Sequence, residues 1–112
     1  MASREFADYL VELLEPLGRV KAKRMFGGFG LYLDGLMFAL ITDDTLYLKA
    51  DAGNRAAFAA RAMPPFEYVR QGKVVTLSYL AAPAEALEEP DDLVALARLA
   101  FAAALRGRRR PA

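Results

Sequence analysis

Cysteine and histidine are both absent from this chain of 112 residues. The absence of cysteine excludes disulfide bonds, thiolate zinc sites and cysteine nucleophiles. The absence of histidine removes the commonest general base and the commonest ligand of transition metals. Hydroxyl side chains are few, and no local motif pairs one of them with a lysine. We therefore predict that the protein is not an enzyme and that it has no catalytic residues, no cofactor and no metal site.

The sequence also lacks any apolar run that approaches the roughly 20 residues of a membrane-spanning helix. Its first residues, MASREFADYL, lack the basic-then-apolar plan of a secretory signal peptide. Hydrophobic residues make up 55% of the chain, which is enough for a core, and the length favours a single domain. We expect a cytoplasmic protein with no membrane partner, formed by one domain over residues 1–105 and a basic tail over residues 106–112.

Charge of one sign is not in excess, because the formal net charge is only +1. The basic residues nevertheless form two groups, which are the candidate nucleic-acid contacts: Lys21, Lys23 and Arg24 in the first, and Arg106, Arg108, Arg109 and Arg110 in the second. A basic chain end can contact phosphate, but a short one is also typical of solvated, frayed chain. Both interpretations stay open at this point.

Hydrophobic spacing predicts an amphipathic helix at the start of the chain. Its apolar residues recur at i, i+4, i+7, i+8 and i+11, and they are Phe6, Leu10, Leu13, Leu14 and Leu17. Ser3 is the expected N-cap. Pro16 should end the helix at about residue 14 or 15.

Three strands are predicted next, over residues 29–33, 36–41 and 45–49. The first turn contains Asp34-Gly35, a preferred pair for two-residue hairpins because both central positions need positive φ. The second turn contains Asp43-Asp44. The pattern indicates a three-stranded antiparallel meander.

The rest of the chain predicts a helix, a second hairpin and a last helix. The first of these begins at Asp51, a natural N-cap, and ends before Pro64. The hairpin covers residues 66–80 around Gln71-Gly72, and the last helix begins at Pro90. The order helix, three strands, helix, two strands, helix predicts an α+β fold, a two-layer α/β sandwich with an antiparallel sheet.

The stretch GGFG at residues 27–30 could be read as a phosphate-binding loop. Such loops open a helix, whose N-terminal N–H groups face the phosphate. Here the glycines open a strand, and a third glycine of the G-x-G-x-x-G pattern is replaced by Leu33. We predict instead a bend, a bulge or a close approach of two backbones.

Tyrosines and basic residues alternate along several predicted strands. The residues concerned are Tyr32, Tyr47, Tyr68, Tyr79, Lys49, Arg70 and Lys73. Such a surface can stack nucleic-acid bases, as in sheet-based RNA-binding modules. No signature of those modules is present, so half-buried strand tyrosines with solvated hydroxyls are the preferred interpretation.

Two segments resemble the N-terminal domain of TfoX/Sxy-type competence regulators. They are RMFGGFGLYLDGLMFALI followed by DDTLYLKAD, and FEYVRQGKVVTLSYLAAPAEALEEPDDLVALARLA. The family signature comprises Arg24, Met25, Phe26, Gly27, Gly28, Gly30, Asp34 and Gly35. The resemblance implies the same order of helices and strands as the hydrophobic pattern. It also implies a regulator of natural transformation genes, working with the cyclic-AMP receptor protein and without enzymatic activity.

Three functional hypotheses follow. The first is a non-enzymatic regulatory module that acts through protein contacts, with a homodimer as one candidate because the last helix is apolar around much of its girth. The alternative is a nucleic-acid-binding module that uses the two basic groups. A third is a small-ligand binder with an apolar, tyrosine-lined pocket between sheet and helices.

Overall fold

The computed structural model describes residues 3–25 and 27–109, the last of these in its backbone only. The helices and strands are, in chain order, α1 (Arg4–Leu13), β1 (Lys21–Met25), β2 (Gly28–Leu33), β3 (Leu36–Thr42), β4 (Thr45–Lys49), α2 (Arg55–Ala59), β5 (Pro65–Arg70), β6 (Lys73–Ala81) and α3 (Pro90–Arg109). Two short 3₁₀ helices, Glu15–Leu17 and Ala84–Glu88, follow α1 and β6. Phe26 and Arg110, both named above, lie outside the described residues.

The six strands form one antiparallel sheet in the order β1-β2-β3-β4-β6-β5. With helices packed on it, this confirms the predicted α+β fold. The sequence pattern missed β1, whose residues KAKRM show no alternation of apolar and polar side chains. This strand forms because it pairs with β2 from Lys21 opposite Tyr32 to Met25 opposite Gly28. An edge strand held by backbone hydrogen bonds needs no buried face of its own.

The first helix begins and ends close to where the sequence predicts. The Ser3 hydroxyl oxygen accepts a hydrogen bond from the backbone N–H of Phe6 at 3.1 Å, so the predicted N-cap is confirmed. The helix ends at Leu13, and Pro16 lies in the 3₁₀ turn that follows. Proline removes a backbone donor and therefore stops the regular helix here.

The second helix is much shorter than predicted. It covers only Arg55–Ala59, and its N-cap position is Asn54, so the assignment of Asp51 as the cap was wrong. The Asp51 carboxylate instead accepts the N–H groups of Gly53 and Asn54, which folds residues 51–54 into a turn before the helix begins. At the other end Ala62 has φ +52°, a left-handed conformation that stops the helix well before Pro64.

The hydrophobic core lies between one face of the sheet and the helices α1 and α3. The sheet contributes Phe29, Leu31, Leu33, Phe38, Ala39, Ile41, Leu46, Leu48 and Leu80. The helices contribute Ala7, Leu10, Leu93, Val94, Leu96, Ala97, Ala100 and Ala104. The ring of Phe101 on α3 meets that of Phe38 edge to face, with centroids 6.2 Å apart. Both long helices of the described residues therefore lie on the same face of the sheet.

The wide apolar girth of α3 is covered by the chain itself. Seven of its residues are buried: Leu93, Val94, Leu96, Ala97, Ala100, Ala103 and Ala104. Only Leu99 remains exposed among its large apolar side chains, at 37%. The apolar surface of α3 therefore does not require a second subunit, and a homodimer stays a prediction.

The glycines of GGFG serve the sheet, as predicted. Gly27 has φ +77° in the turn between β1 and β2. A Cβ at Gly28 would overlap the backbone carbonyl oxygen of Ile41 on β3, so only glycine allows this approach of the two strands. No helix N-terminus follows, so the stretch lacks the geometry of a phosphate-binding loop.

Candidate interaction surface

The face of the sheet opposite α1 and α3 gathers the strand tyrosines. The strand register places Tyr47 beside Leu40 and Ala81, and it places Tyr79 beside Lys49. Leu40, Tyr79 and Ala81 are buried but do not belong to the core cluster. By the same register Tyr32 and Tyr68 also lie on this side of the sheet. We call it the helix-free face.

A cleft of about 830 Å³ lies largely on the helix-free face, between strands β2 and β3 and the β5–β6 hairpin. Its lining is mostly apolar and aromatic and includes Met25, Met37, Leu40, Phe66, Leu77 and Tyr79. The Phe66 ring packs against Tyr47 with centroids 5.0 Å apart and against Tyr68 at 6.0 Å. A second hollow of about 400 Å³ lies between β2 and α3 near Arg98, on the helix side of the sheet. A small-ligand site between sheet and helices stays a prediction.

Two lysines lie over tyrosine rings on the helix-free face. The Lys23 ammonium is 4.7 Å from the ring centroid of Tyr32, and the Lys49 ammonium is 5.2 Å from that of Tyr79. Both distances are within the range of cation–π attraction. Burial, with a smaller effect of Tyr32, raises the pKa of Tyr79 to about 12. Tyr79 therefore stays protonated at neutral pH and supplies no phenolate for chemistry.

The β5–β6 hairpin projects beyond the rest of the sheet. Strand β4 pairs with β6 only from Tyr79 to Ala81, so no strand of the described residues lies on that side of the hairpin from Glu67 to Thr76. Six large apolar side chains of the described residues are exposed by more than a third, and four of them lie in this hairpin: Tyr68 (37%), Val69 (70%), Val74 (65%) and Leu77 (36%). Val69 and Val74 form a cross-strand pair on one face, whereas Tyr68 and Leu77 lie on the other.

The structure places the two basic groups that the sequence suggested as nucleic-acid contacts on different elements. Lys21 and Lys23 lie on β1 and point to the helix-free face. Arg24 alternates to the other side, where its guanidinium lies 5.1 Å from the Phe29 ring centroid. Arg106 belongs to α3 and is bound to Asp51, which follows β4.

The predicted basic tail also begins inside a helix. The first basic group lies on β1, and the second begins on α3, where Arg106 binds Asp51 at the end of β4. Strand β1 is three positions from β4 in the sheet, so the two groups are apart. Arg108 is exposed in the last turn of α3, Arg109 is described in its backbone alone, and Arg110 is outside the described residues.

The described signature residues cluster at two turns of the sheet. Arg24, Met25, Gly27, Gly28 and Gly30 surround the β1–β2 turn. Asp34 and Gly35, with φ of 51° and 79°, form the two-residue turn between β2 and β3 that was predicted. Sulfur atoms of Met25 and Met37 lie over Gly30, where a Cβ would meet them. The described signature residues thus shape turns and strand contacts of the sheet, and Met25 also lines the cleft.

Sequence reasoning missed a buried polar junction between β4 and α3. Asn54 is 2% exposed, and its side-chain oxygen accepts the N–H of Asp51 at 2.9 Å. Its amide nitrogen donates to the carbonyl oxygens of Lys49 and Leu99, both at 3.0 Å. The sequence DAGN signals a turn, but it carries no signal for the partner on α3, which is 45 residues away.

Two ion pairs reinforce the helices around this junction. The Asp51 carboxylate accepts hydrogen bonds from Arg106 Nε at 2.6 Å and Nη2 at 2.7 Å, which holds the pKa of Asp51 at about 2. Arg61 binds Asp92 with both terminal nitrogens, at 3.0 and 2.9 Å, and thereby lowers the pKa of Asp92. These carboxylates are therefore engaged in holding helices.

Within residues 3–25 and 27–109, no three carboxylates lie close enough together to hold a metal ion. In the same part of the chain, no helix combines the length and the apolar character needed to cross a bilayer. The polar groups described above offer hydrogen bonds and charge, whereas the cleft of about 830 Å³ is lined mostly by apolar side chains.

The sequence is similar to one protein-family model and to two characterised proteins. The family model of the TfoX N-terminal domain matches residues 12–104. The chain is 33% identical over 66 residues to the DNA transformation protein TfoX1 of Aliivibrio fischeri, which covers 59% of this chain and 32% of that protein. It is 30% identical over 96 residues to protein Sxy of Escherichia coli, which covers 85% of this chain and 46% of that protein. The matches thus span less than half the length of either relative.

Proposed function

The chain belongs to the TfoX N-terminal domain family, and from that membership we propose that it is a non-enzymatic regulatory module that acts through protein contacts. One relative is named as a DNA transformation protein, and regulation of DNA transformation is the process we propose for this chain. The single observation that carries the contact mechanism is the β5–β6 hairpin, with exposed apolar side chains on both of its faces.

The hairpin has the character of a binding element. Isolated apolar residues are normal on protein surfaces, but a group of them on one element indicates an interaction site. Val69 and Val74 each keep about two thirds of their surface in water, which is costly for β-branched aliphatic residues. The cleft adjoins the hairpin through Phe66, Tyr68 and Leu77 and extends the apolar surface.

The ionisable groups with shifted pKa values support a non-enzymatic role. A catalytic acid or base needs a shifted pKa and access to a substrate. The pKa values of Asp51 and Asp92 are lowered by the arginines that bind them, and the pKa of Tyr79 is raised by burial. Each shift thus comes from a structural partner or from packing.

A test of the proposed function uses a deletion of the gene in its native host, complemented with defined variants. We expect the deletion to change transcript levels of DNA-uptake genes and the wild-type chain to restore them. The double variant Val69→Lys/Val74→Lys should fail to restore them, because it places two charges on the hairpin surface. The matched control Leu99→Lys, on α3, should restore them fully.

Two results would contradict this function. The first is a deletion that leaves all transcripts unchanged. The second is full restoration by the hairpin variant, provided that its circular dichroism and melting temperature match those of the wild type.

Nucleic-acid binding is a second candidate, favoured by one observation. Lys21, Lys23 and Lys49 share the helix-free face with Tyr32 and Tyr79, and two of these lysines lie over the rings. Arg106 contributes less, because Asp51 already binds it.

Fluorescence anisotropy with a mixed-sequence DNA duplex at about 50 and 200 mM salt tests this candidate. Binding that weakens by about 0.9 log unit per phosphate contact per log unit of salt would support it. The variant Lys21→Gln/Lys23→Gln should then flatten the slope, whereas Arg108→Gln should leave it steep. Anisotropy that stays flat at high protein concentration would overturn it.

A further inference from the structure

We infer that the free edge of β5 pairs with β5 of a second copy of this chain, antiparallel and around a two-fold axis at Tyr68. The inference deepens the proposed function and rests on it, because it names a partner for the same hairpin. Three observations carry it: the direction of the free backbone groups, the symmetry of the side chains along β5, and the contrast with the other edge of the sheet.

The backbone groups of Glu67 and Val69 point away from β6. Arg70 and Lys73 flank the two-residue turn and therefore exchange hydrogen bonds with each other. Because hydrogen-bonded and non-hydrogen-bonded pairs alternate, Tyr68 also faces β6, whereas Glu67 and Val69 face outward. The same alternation directs Ser78 of β6 toward β4, and its carbonyl oxygen does accept the N–H of Ala50 at 2.8 Å.

These two outward residues are arranged for self-pairing. They lie one on each side of Tyr68. A second β5, antiparallel and centred on Tyr68, therefore places Glu67 opposite Val69 of the second copy and Val69 opposite Glu67 of the second copy. Both outward N–H groups and both outward carbonyls of each chain then find partners, which gives four hydrogen bonds. A sheet edge with unpaired groups is a ready template for such pairing.

The side chains on the helix-free face match the same register. Tyr68 meets Tyr68 of the second copy at the axis, and Arg70 lies opposite Phe66 of the second copy. Arginine over an aromatic ring is a favourable cation–π pair. The exposed Tyr68 and Arg70 side chains thus gain contacts in addition to the stacking of Tyr68 on Phe66 within the chain.

The other edges are less suited to a second copy. Strand β1 carries Lys21, Lys23 and Arg24 within five residues, so self-pairing would bring like charges together. The outer side of β6 offers only a short stretch before Ser78, whose carbonyl oxygen already accepts the N–H of Ala50. One β5–β5 pair buries less than the roughly 1,200 Å² of a standard interface, so we expect a dimer that dissociates on dilution.

A single engineered thiol tests the register, because the chain contains no cysteine. At the axis residue 68 forms a non-hydrogen-bonded pair with its copy, whose Cα atoms lie about 4.5 Å apart. A disulfide spans 4.4–6.8 Å between Cα atoms as a rule, roughly the same distance. In the matched control Arg70→Cys the two thiols lie on the same face but about 14 Å apart along the strands.

We expect Tyr68→Cys at about 100 µM, a concentration suited to a weak dimer, to give a disulfide-linked dimer on mild oxidation. Arg70→Cys should stay monomeric on the same non-reducing gel. Equal cross-linking of both variants, cross-linking of Arg70→Cys alone, or none in either would overturn the register.

Sedimentation equilibrium measures dimerisation through the edge of β5 without an engineered thiol. Val69→Pro removes the outward N–H of β5 and leaves the hydrogen bonds to β6 in place. It should weaken dimerisation at least tenfold, whereas Thr76→Pro, which removes an N–H of β6 that faces away from β5, should leave it unchanged. Circular dichroism checks that both variants fold, and a dimer of unchanged strength in Val69→Pro would overturn the inference.

The two proposals fail in different ways. A monomeric wild type without the Tyr68→Cys cross-link would overturn the second copy as partner, while the transcript test of the hairpin would still stand on its own. A cross-link in the predicted register, together with transcripts that do not respond, would overturn the regulatory function alone.

Discussion

Strands β2, β3 and β4 lie beneath α1 and α3, whereas no helix of residues 3–25 and 27–109 covers either face of the outer half of the β5–β6 hairpin. In β4 burial alternates strictly, because Leu46 and Leu48 enter the core and their neighbours do not. In β5 only Phe66 is partly buried, although the strand is also rich in apolar residues. Similar side chains therefore have different roles: in the helix-covered half they stabilise the domain, and in the hairpin they remain available for a partner.

The largest expected effect comes from removing a large side chain from the core beneath the helices. Phe38 is fully buried against Phe101, so Phe38→Ala should lower the free energy of unfolding by about 3–5 kcal/mol. Urea denaturation followed by circular dichroism measures the loss. A loss below about 1 kcal/mol would contradict the packing described for this half.

The next effect concerns the close approach of β2 and β3. Gly28→Ala forces a Cβ against the Ile41 carbonyl and should cost about 2–3 kcal/mol, because neither backbone can yield without loss of pairing. Gly107 on α3 is the matched control, since open space surrounds it. There the same substitution should be neutral or stabilising. Thermal unfolding of both variants measures the two changes in stability, which should have opposite signs or differ widely. Equal losses of stability would refute the steric explanation.

A smaller effect should depend on pH. The bidentate contact with Arg106 holds the pKa of Asp51 at about 2, below its ordinary 3.8. A depressed carboxyl pKa stabilises the fold above the unfolded pKa, and this contribution disappears as the pH falls from about 4 to about 2.

We therefore expect Asp51→Asn to lower the free energy of unfolding by about 1 kcal/mol at neutral pH. The difference from the wild type should shrink toward zero near pH 2, as urea titrations across this range would measure. Arg106→Gln should reproduce this pH dependence, and Arg108→Gln should not. A wild-type advantage that stays constant down to pH 2 would argue against the ion pair.

The smallest effect is expected in the hairpin. Val69→Thr keeps the β-branched shape at a position that is 70% exposed, so the free energy of unfolding should change by less than about 0.5 kcal/mol. The measurement belongs at low protein concentration, where a weak dimer is dissociated. A loss comparable to that of Phe38→Ala would show that the hairpin is packed within the chain, and the comparison of the two halves would fail.

Local signals in the sequence were sufficient for much of the fold. Ser3 as a cap, Pro16 as a stop and Asp34-Gly35 as a hairpin turn each depend on a few neighbouring residues. The same holds for the interpretation of GGFG, since glycines before a strand cannot form a helix N-terminus. The extent of α2 was not predictable in this way, because Asp51 is committed to a turn and to Arg106, which is 55 residues away.

The sequence by itself determined the periods, turns and caps of the elements, and with them the α+β order, because these depend on interactions within a few residues. Its lack of cysteine and histidine also excluded disulfide bonds and imidazole or thiolate ligands within these 112 residues. Only the tertiary structure decided that β1 joins the sheet, that Asn54 connects β4 to α3, and that α3 is covered by its own chain. It alone left the β5–β6 hairpin exposed, because burial depends on which surfaces meet in space, and strands with similar apolar content can lie under a helix or in water.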